Sequence, residues 1–355
     1  MAVTNNDMRH QLQQQVEQAY QSKTALNICG GGSKHFYGNN IQAETLNLAE
    51  HCGIINYEPT ELVITVRAGT SISEIETALS QQGQMLGFEP PHFADTATIG
   101  GIVACDLSGP RRPYTGSARD YVLGSTIING KAEQLHFGGE VMKNVAGYDV
   151  SRLMCGSMGT LGVLLDVSLK VIPKPETELT VVKDCTAAEA IQQMHHWMNQ
   201  SLPLSASCYV DGKLYVRLAS NEATIKSAHQ KIGGDLIDDP QFWMSIKEQH
   251  HGFFDSEKPL WRLSLASAAE PLLLKGETLY DWGGALRWLK SDESADEIRQ
   301  AVESLHGHAI LFKNNINQVA PFHQLSSEIH TMHRQLKHAF DPAHILNPGR
   351  MYADI

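Results

Sequence analysis

The stretch Ala25-Leu26-Asn27-Ile28-Cys29-Gly30-Gly31-Gly32-Ser33-Lys34 decides how the rest of the chain is read. A short strand, residues 25–29, stops abruptly at three glycines. With no Cβ to block the approach, such a run lets backbone N–H groups converge on an anion, and phosphate is the usual one. The common nucleotide fingerprints fail here. G-x-G-x-x-G would need glycine at position 35, which is His35, and no G-K-[ST] is present. A glycine-rich turn with no ligand stays open as the competing reading.

Outward from this loop the chain divides in two. Upstream, Met8, Leu12, Val16, Ala19 and Tyr20 recur at helical spacing behind Asn5-Asn6-Asp7, predicting a helix over 5–22. Downstream, strands are expected at 53–57 and 62–68, and Ser71-x-x-Glu74 is a capping box opening a helix that ends near Gly83. Residues 92–120 read as loop-rich. Strand 121–129 meets Asn129-Gly130, a hairpin signal, with its partner at 131–137. A helical stretch over 141–161 and a long strand over 162–172 follow. Pro173-Lys174-Pro175 then marks a boundary, since proline removes a donor and restricts its neighbour.

Beyond the boundary a strand at 178–184 leads into the capping box Thr186-x-x-Glu189 and a helix to about Asn199. A hairpin over 205–219 turns at Asp211-Gly212. Helices near 221–232, 240–250 and 294–305 alternate with strands near 260–266, 277–289 and 308–313, which suggests an α+β domain on one antiparallel sheet. The tail is expected to be helical, with Leu325, Ile329, Met332, Leu336 and Phe340 as its apolar stripe, ending in Asp341-Pro342 and Asn347-Pro348-Gly349-Arg350.

Composition narrows the function. A length of 355 residues suggests two domains, and 42% hydrophobic with 19% charged residues is ordinary for a folded chain. A net charge of −11 disfavours nucleic acid and anionic membrane as partners. No apolar run approaches a membrane span, and the N-terminus has no signal-peptide core, so a cytoplasmic protein is expected. Cys29, Cys52, Cys105, Cys155, Cys185 and Cys208 form no C-x-x-C, so neither an iron–sulfur cluster nor a Cys-rich zinc site is expected. The 17 histidines include no H-E-x-x-H, and the pairs His195-His196 and His250-His251 point apart on a helix; no metal site is expected.

Three more glycine loops follow the first: Thr98-Ile99-Gly100-Gly101-Ile102-Val103-Ala104, Gly116-Ser117-Ala118-Arg119-Asp120, and Gly156-Ser157-Met158-Gly159-Thr160-Leu161-Gly162. A long ligand with a diphosphate, a ribose and a flat ring would use several such loops at once. Taken in order with FGGEVMKNVAGYD at 137–149, they resemble the FAD-binding domain of the vanillyl-alcohol oxidase/PCMH flavoprotein family. SGPRR at 108–112, VMKNVAGYDVSRL at 141–153 and NPGR at 347–350 are similar to its branch of FAD-binding subunits of bacterial glycolate oxidase, over essentially the whole chain.

That resemblance implies an α+β fold: a two-part PCMH-type FAD-binding domain at 1–173, followed by a smaller α+β cap domain at 174–355 with an antiparallel sheet. The tail, about 320–355, would pack back on the FAD domain. Gly30, Gly31, Gly32 and Ser33 would hold the FAD pyrophosphate. Thr98, Gly100 and Gly101 would line the ring system and diphosphate. Gly116, Ser117 and Asp120 fall where the family contacts the ribityl–ring portion; Gly156, Thr160, Gly162 and Val163 match the adenine side. Cys29 stands where many relatives carry arginine, which removes one ionic phosphate contact. The G-G-H pattern of histidine-linked flavins is missing, so FAD is expected to be non-covalent.

The late H-x-G-D-G-N motif of the stand-alone 2-hydroxy-acid dehydrogenases is absent, and no catalytic base can be named. Arg111, Arg112 and Arg350 are candidate carboxylate or phosphate partners. The resemblance therefore implies a glycolate-to-glyoxylate oxidase of several subunits, in which this chain binds FAD and relays electrons or supports assembly. A second flavoprotein subunit and an iron–sulfur subunit would be its partners, a small 2-hydroxy acid the substrate. Contact with the inner membrane would come only through partners, and Arg111, Arg112 and Tyr114 are candidate docking residues. A stand-alone hydroxy-acid or alcohol dehydrogenase, and a scaffold with a vestigial flavin pocket, are the alternatives.

Overall fold

The computed structural model describes residues 5–139, 149–316 and 318–355. The chain forms two compact units: one of Met1–Ser108, Gly116–Pro173 and Gln324–Ile355, the other of Gly109–Thr115 and Lys174–His323.

In the first unit a five-stranded antiparallel sheet runs Ile54–Glu58, Val63–Arg67, Val163–Lys170, Val122–Ile128, Gln134–Gly138 in spatial order. The strand Leu26–Cys29 pairs in parallel with Glu44–Asn47. Leu12, Val16 and Ala19 of the helix Arg9–Ser22 share one core with Ile72, Ile75 and Leu79 of the helix Ile72–Gln81, and with Ile64, Val66, Leu165 and Val167 of the sheet. Val163–Lys170 is buried at seven of its eight positions, because it lies between two other strands with both faces covered. Ser71 caps Ile72–Gln81 by accepting the Glu74 N–H at 3.2 Å.

The second unit is built on an eight-stranded antiparallel sheet. Its spatial order is Asp235–Ile237, Thr177–Asp184, Lys213–Ser220, Leu204–Val210, Glu277–Asp281, Leu286–Lys290, Leu260–Ser264, His308–Lys313. The helices Ala187–Met198 and Glu222–Ile232 cover one part of one face, and Ala295–Glu303 covers another. Capping boxes open the first and third of these helices, at Thr186/Glu189 and Ser294/Glu297.

Four expectations change. The loop-rich stretch expected over 92–120 holds the helices Ile99–Cys105, Arg112–Thr115 and Ala118–Tyr121. Their shortness and glycine content hide them from any periodicity. Asn129-Gly130 is not a two-residue hairpin turn: the loop spans 129–133, closed by Asn129 Oδ1 accepting the N–H groups of Lys131 and Glu133, with Ala132 left-handed. Gly130 has a different task, because a Cβ there would stand 2.3 Å from Asp341 Oδ1. The strand expected over 277–289 is broken at Trp282-Gly283-Gly284 into two paired strands. Finally, on the C-terminal helix Ser327–Phe340 only part of the apolar stripe is covered. Leu336 and Phe340 pack on the core, Ile329 and Met332 are 44% and 56% exposed, and Lys337 is fully buried. Of the stretch 141–161, residues 141–148 lie outside the described residues; Val150–Leu153 is helical.

Candidate functional site

The strand Leu26–Cys29 delivers the glycine loop into a cavity of about 810 Å³, its open mouth included. Gly30, Gly31, Gly32, Ser33, Lys34 and His35 form one wall. Thr98, Gly100, Gly101, Ala104 and Cys105, from the helix Ile99–Cys105 and its cap, form a second. Met158, Gly159, Gly162 and Leu164, with Asn347 and Arg350 from the tail, form a third. Thr98 Oγ1 accepts the Gly101 N–H at 3.3 Å, so this residue caps the short helix as well as facing the cavity.

The cavity suits an anion. No Asp or Glu stands among its lining residues, while Lys34 and Arg350 do. Lys34 Nζ donates to Ser33 Oγ at 2.9 Å and to the His92 carbonyl at 3.1 Å. Arg350 donates to the carbonyls of Asn39 and Tyr37, both at 2.6 Å, and so ties down the segment after the glycine loop. The N–H groups of Gly31 and Ser33 meet no acceptor among the described residues, which leaves them for a ligand. Burial raises the Cys29 thiol, against the pull of Arg350, and Cys29 Sγ donates to the Gly30 carbonyl at 3.3 Å. Burial likewise raises Cys105. Both are neutral lining groups rather than thiolates.

Two glycines show how close the packing is. A Cβ on Gly31 would lie 1.4 Å from the Thr96 carbonyl oxygen, whose residue also donates its hydroxyl to the Gly31 carbonyl at 2.6 Å. A Cβ on Gly101 would meet nothing nearer than Thr98 Oγ1 at 3.4 Å. Glycine at 31 is required by the protein itself; at 101 the space it leaves belongs to the cavity. A diphosphate-bearing cofactor such as FAD fits this combination of open backbone donors, positive side chains and glycine-lined space.

The third wall is held by residues to which the sequence assigns no role in the site. Asn347 accepts the Ile28 N–H at 2.7 Å and donates to the Met158 carbonyl at 2.7 Å, joining the strand that ends in the glycine loop to the loop opposite. Lys337 and Asp341, both fully buried, pair at 2.7 Å. Lys337 Nζ also donates to the carbonyls of Thr160 and Leu346, while Asp341 accepts the N–H groups of Ile345 and Leu346. The sequence signal was the punctuation Asp341-Pro342 and Asn347-Pro348-Gly349-Arg350, which marks a shaped tail without saying what it grips.

Of the expected site residues, Gly30, Gly31, Gly32, Ser33, Thr98, Gly100, Gly101 and Gly162 line the cavity; Gly116, Ser117, Asp120, Gly156, Thr160 and Val163 do not. Asp120 Oδ2 accepts the N–H and hydroxyl of Ser117 at 2.8 Å each. Thr160 donates its hydroxyl to Ser157, and Val163 opens a buried strand. The docking expectation also changes. Arg111 is buried and paired with Glu178, and the Tyr114 hydroxyl bonds Ser207 at 2.8 Å, its pKa raised by burial to about 12. Neither is an exposed anchor. Among the described residues no three His, Cys, Asp or Glu are grouped to hold a metal ion, and no helix is long and apolar enough to cross a membrane.

The FAD binding domain family matches residues 6–138. A solved alkyldihydroxyacetonephosphate synthase superposes with a TM-score of 0.66 at 14% identity, over 96% of this chain and 75% of its own, and so shares the fold. The chain is thus an FAD-dependent oxidoreductase component with a PCMH-type FAD-binding domain. It is 48% identical to the glycolate oxidase subunit GlcE of Escherichia coli K12, over 98% of this chain and 99% of that protein. It therefore belongs to the same family of glycolate oxidase subunits as that protein. Shorter similarities join it to the glycolate oxidase subunit GlcD of Bacillus subtilis, 32% identical over 45% of this chain and 33% of that one. A D-lactate dehydrogenase of Anaerostipes hadrus is 31% identical over 44% of this chain and 34% of its own.

Proposed function

We propose that this chain is the FAD-binding subunit of a multi-subunit glycolate oxidase that converts glycolate to glyoxylate. The observation that carries this is the 48% identity with the Escherichia coli subunit over nearly the full length of both chains. The dehydrogenases that match cover under half of this chain, so they speak for a shared domain and not for a shared whole reaction.

When bound, FAD supplies the hydride acceptor for oxidation of the alcohol carbon. The glycine loop, Gly30–Ser33, offers backbone donors to the diphosphate, and Lys34 and Arg350 give the surrounding field its positive sign. Thr98 and Gly100–Gly101 shape the adjoining wall, with Gly162 on the far side. Gly116, Ser117, Asp120, Gly156, Thr160 and Val163 set the frame on which these walls rest. Binding is non-covalent, as the missing G-G-H pattern of histidine-linked flavins implies.

The partners are a second flavoprotein subunit and an iron–sulfur subunit. The cysteines of this chain are too dispersed to ligate a cluster, so electrons leaving the flavin need another carrier. The membrane is approached through those partners. The test is to purify the chain alone and with co-expressed partners, reading flavin content and glycolate-dependent dye reduction. The chain alone should hold FAD and reduce dye slowly, and the assembly should reduce it fast. Rapid glycolate-dependent bleaching of the isolated chain would favour a stand-alone dehydrogenase, and a chain without flavin in either preparation would favour a scaffold.

A further inference from the structure

A buried tryptophan carries an indole N–H that it ordinarily hands to an acceptor. In the second unit Trp243 donates to Thr180 Oγ1 at 2.8 Å, and Trp282 donates to the Gly109 carbonyl at 3.0 Å. Trp261, on the strand Leu260–Ser264, breaks this pattern. It is 2% exposed, and its Nε1–H meets no acceptor among the described residues. A donor buried without a partner is costly to the fold.

Trp261 also lines a pocket of about 250 Å³, its open mouth included. Leu311, from the edge strand His308–Lys313, and Pro259, Ile316 and Val319 make the walls apolar. Arg299 holds the indole and one wall together. Its guanidinium stands 5.6 Å from the Trp261 ring and donates to the carbonyls of Ala320 and Phe322, just past Val319. Glu293 is the one charged residue among the described residues that line the pocket. Its Oε2 accepts the Lys275 N–H at 3.0 Å, and its Oε1 has no partner among the described residues.

These features select a ligand by elimination. An anion meets Glu293 as a like charge. A cation offers the indole nothing, because an N–H needs an acceptor. A hydrocarbon leaves the indole as it is. A hydroxyl suits both polar groups: its oxygen accepts from the indole, and its proton is of the kind a carboxylate accepts. The apolar walls ask for an apolar body as well, which a water lacks. The pocket is smaller than the roughly 300–1,000 Å³ of sites for drug-sized ligands, so that body is about one ring. An aromatic ring gains further from the indole face.

We propose that this pocket binds a small neutral phenol, its hydroxyl accepting from Trp261 Nε1–H and its ring lying against Pro259, Leu311 and Val319. The proposal concerns residues of the second unit alone and does not depend on which acid the assembly oxidises. To test it, the FAD-loaded, isotope-labelled full chain is titrated with p-cresol, with toluene as the analogue lacking the hydroxyl and benzoate as the anion. The readout is the indole N–H resonances of the five tryptophans. Trp261→Phe identifies the Trp261 resonance by its loss. p-Cresol should move that resonance downfield and saturably. Toluene should bind about tenfold more weakly, and benzoate should leave the resonance in place. Val319→Phe fills the pocket from its wall and should abolish the p-cresol shift, with flavin content and circular dichroism equal to wild type. In Trp261→Phe, ligand-detected saturation transfer should show p-cresol binding no better than toluene. The proposal is overturned if p-cresol gives no saturable shift of the Trp261 resonance, or if toluene binds as tightly as p-cresol. It is equally overturned if Trp261→Phe keeps the preference for p-cresol or if Val319→Phe titrates like wild type.

Discussion

The walls of the cavity are built on different plans. The glycine loop and the capped helix Ile99–Cys105 are short stretches whose own residue types shape them: glycines where backbone must come close, Thr98 where a helix must start. The wall of Met158, Gly159 and Gly162 has local turn bonds, such as the Thr160 hydroxyl on the Ser157 carbonyl, but these are not all that holds it. It is also fixed from a distance by Asn347 and Lys337, whose bonds reach residues 158 and 160 across well over a hundred positions of chain, with Asp341 holding Lys337 in place. One side of the site is written in motifs and the other in the tertiary structure. The first should fail through lost space for the ligand, the second through lost support.

The largest effect should come from breaking the support. Lys337→Met leaves the Asp341 carboxylate buried without its partner and removes a donor from two carbonyls, so it should cost about 3–5 kcal/mol. Denaturant titration measures this, and it should be accompanied by loss of FAD. Adding Asp341→Leu should return part of the stability, because an uncompensated buried charge is worse than none. A double mutant as unstable as the single would mean the pair is not the element that matters. Asn347→Ala comes next. It leaves the Ile28 N–H and the Met158 carbonyl without their side-chain partner, at about 1–3 kcal/mol each. Since these two groups belong to opposite walls, FAD dissociation should rise more steeply than global stability falls; equal losses would place Asn347 among general fold contacts.

The motif-built side predicts a contrast between two glycines. Gly31→Val drives a side chain into the Thr96 carbonyl and should disturb the loop whether or not FAD is present. Gly101→Val has room in the protein and takes it from the cavity, so the fold should survive while FAD affinity drops by about 1–3 kcal/mol, the usual cost of overpacking. Flavin absorbance per chain, read beside circular dichroism, separates the cases. After acid precipitation of the wild type the flavin should stay in the supernatant; yellow pellets would contradict non-covalent binding.

The same division explains what was legible in the sequence. The glycine loop, the Ser71 and Thr186 caps and the Asp211-Gly212 turn rest on bonds made within a few residues, where spacing carries the information. The α+β character followed from those elements. Lys337 was illegible because its helix reads as an apolar stripe through Leu325, Ile329 and Met332, with lysine on the solvent side. Asp341 stands at i+4, but the burial of the lysine also depends on the carbonyls of Thr160 and Leu346, which no helical period reveals. Gly130 misled in the opposite sense. Beside Asn129 it reads as a turn residue, yet what requires glycine there is Asp341, some two hundred positions later. The expected strand 277–289 runs through a break because Trp282-Gly283-Gly284 is apolar, and only the left-handed backbone there reveals it.

The smallest effect tests a residue that belongs to neither wall. Asp120 caps its own short helix through Ser117 and does not reach the cavity. Burial raises its carboxyl, but the bonds from the Ser117 N–H and hydroxyl, with the charges of Arg152 and Arg119, outweigh that and hold it below the ordinary 3.8. A carboxyl held low in the folded state favours folding while it is ionised, and that contribution fades as pH falls through the folded pKa. Because Asp120 is exposed, the effect is small. Asp120→Asn should cost about 0.5–1 kcal/mol near neutral pH, as for loss of a cap. The gap to wild type should shrink once the pH drops below the ordinary carboxylate range, because both chains then carry an uncharged group at 120. Flavin content should be unchanged throughout. A variant that loses FAD at neutral pH while keeping its stability would move Asp120 from the frame into the cofactor site.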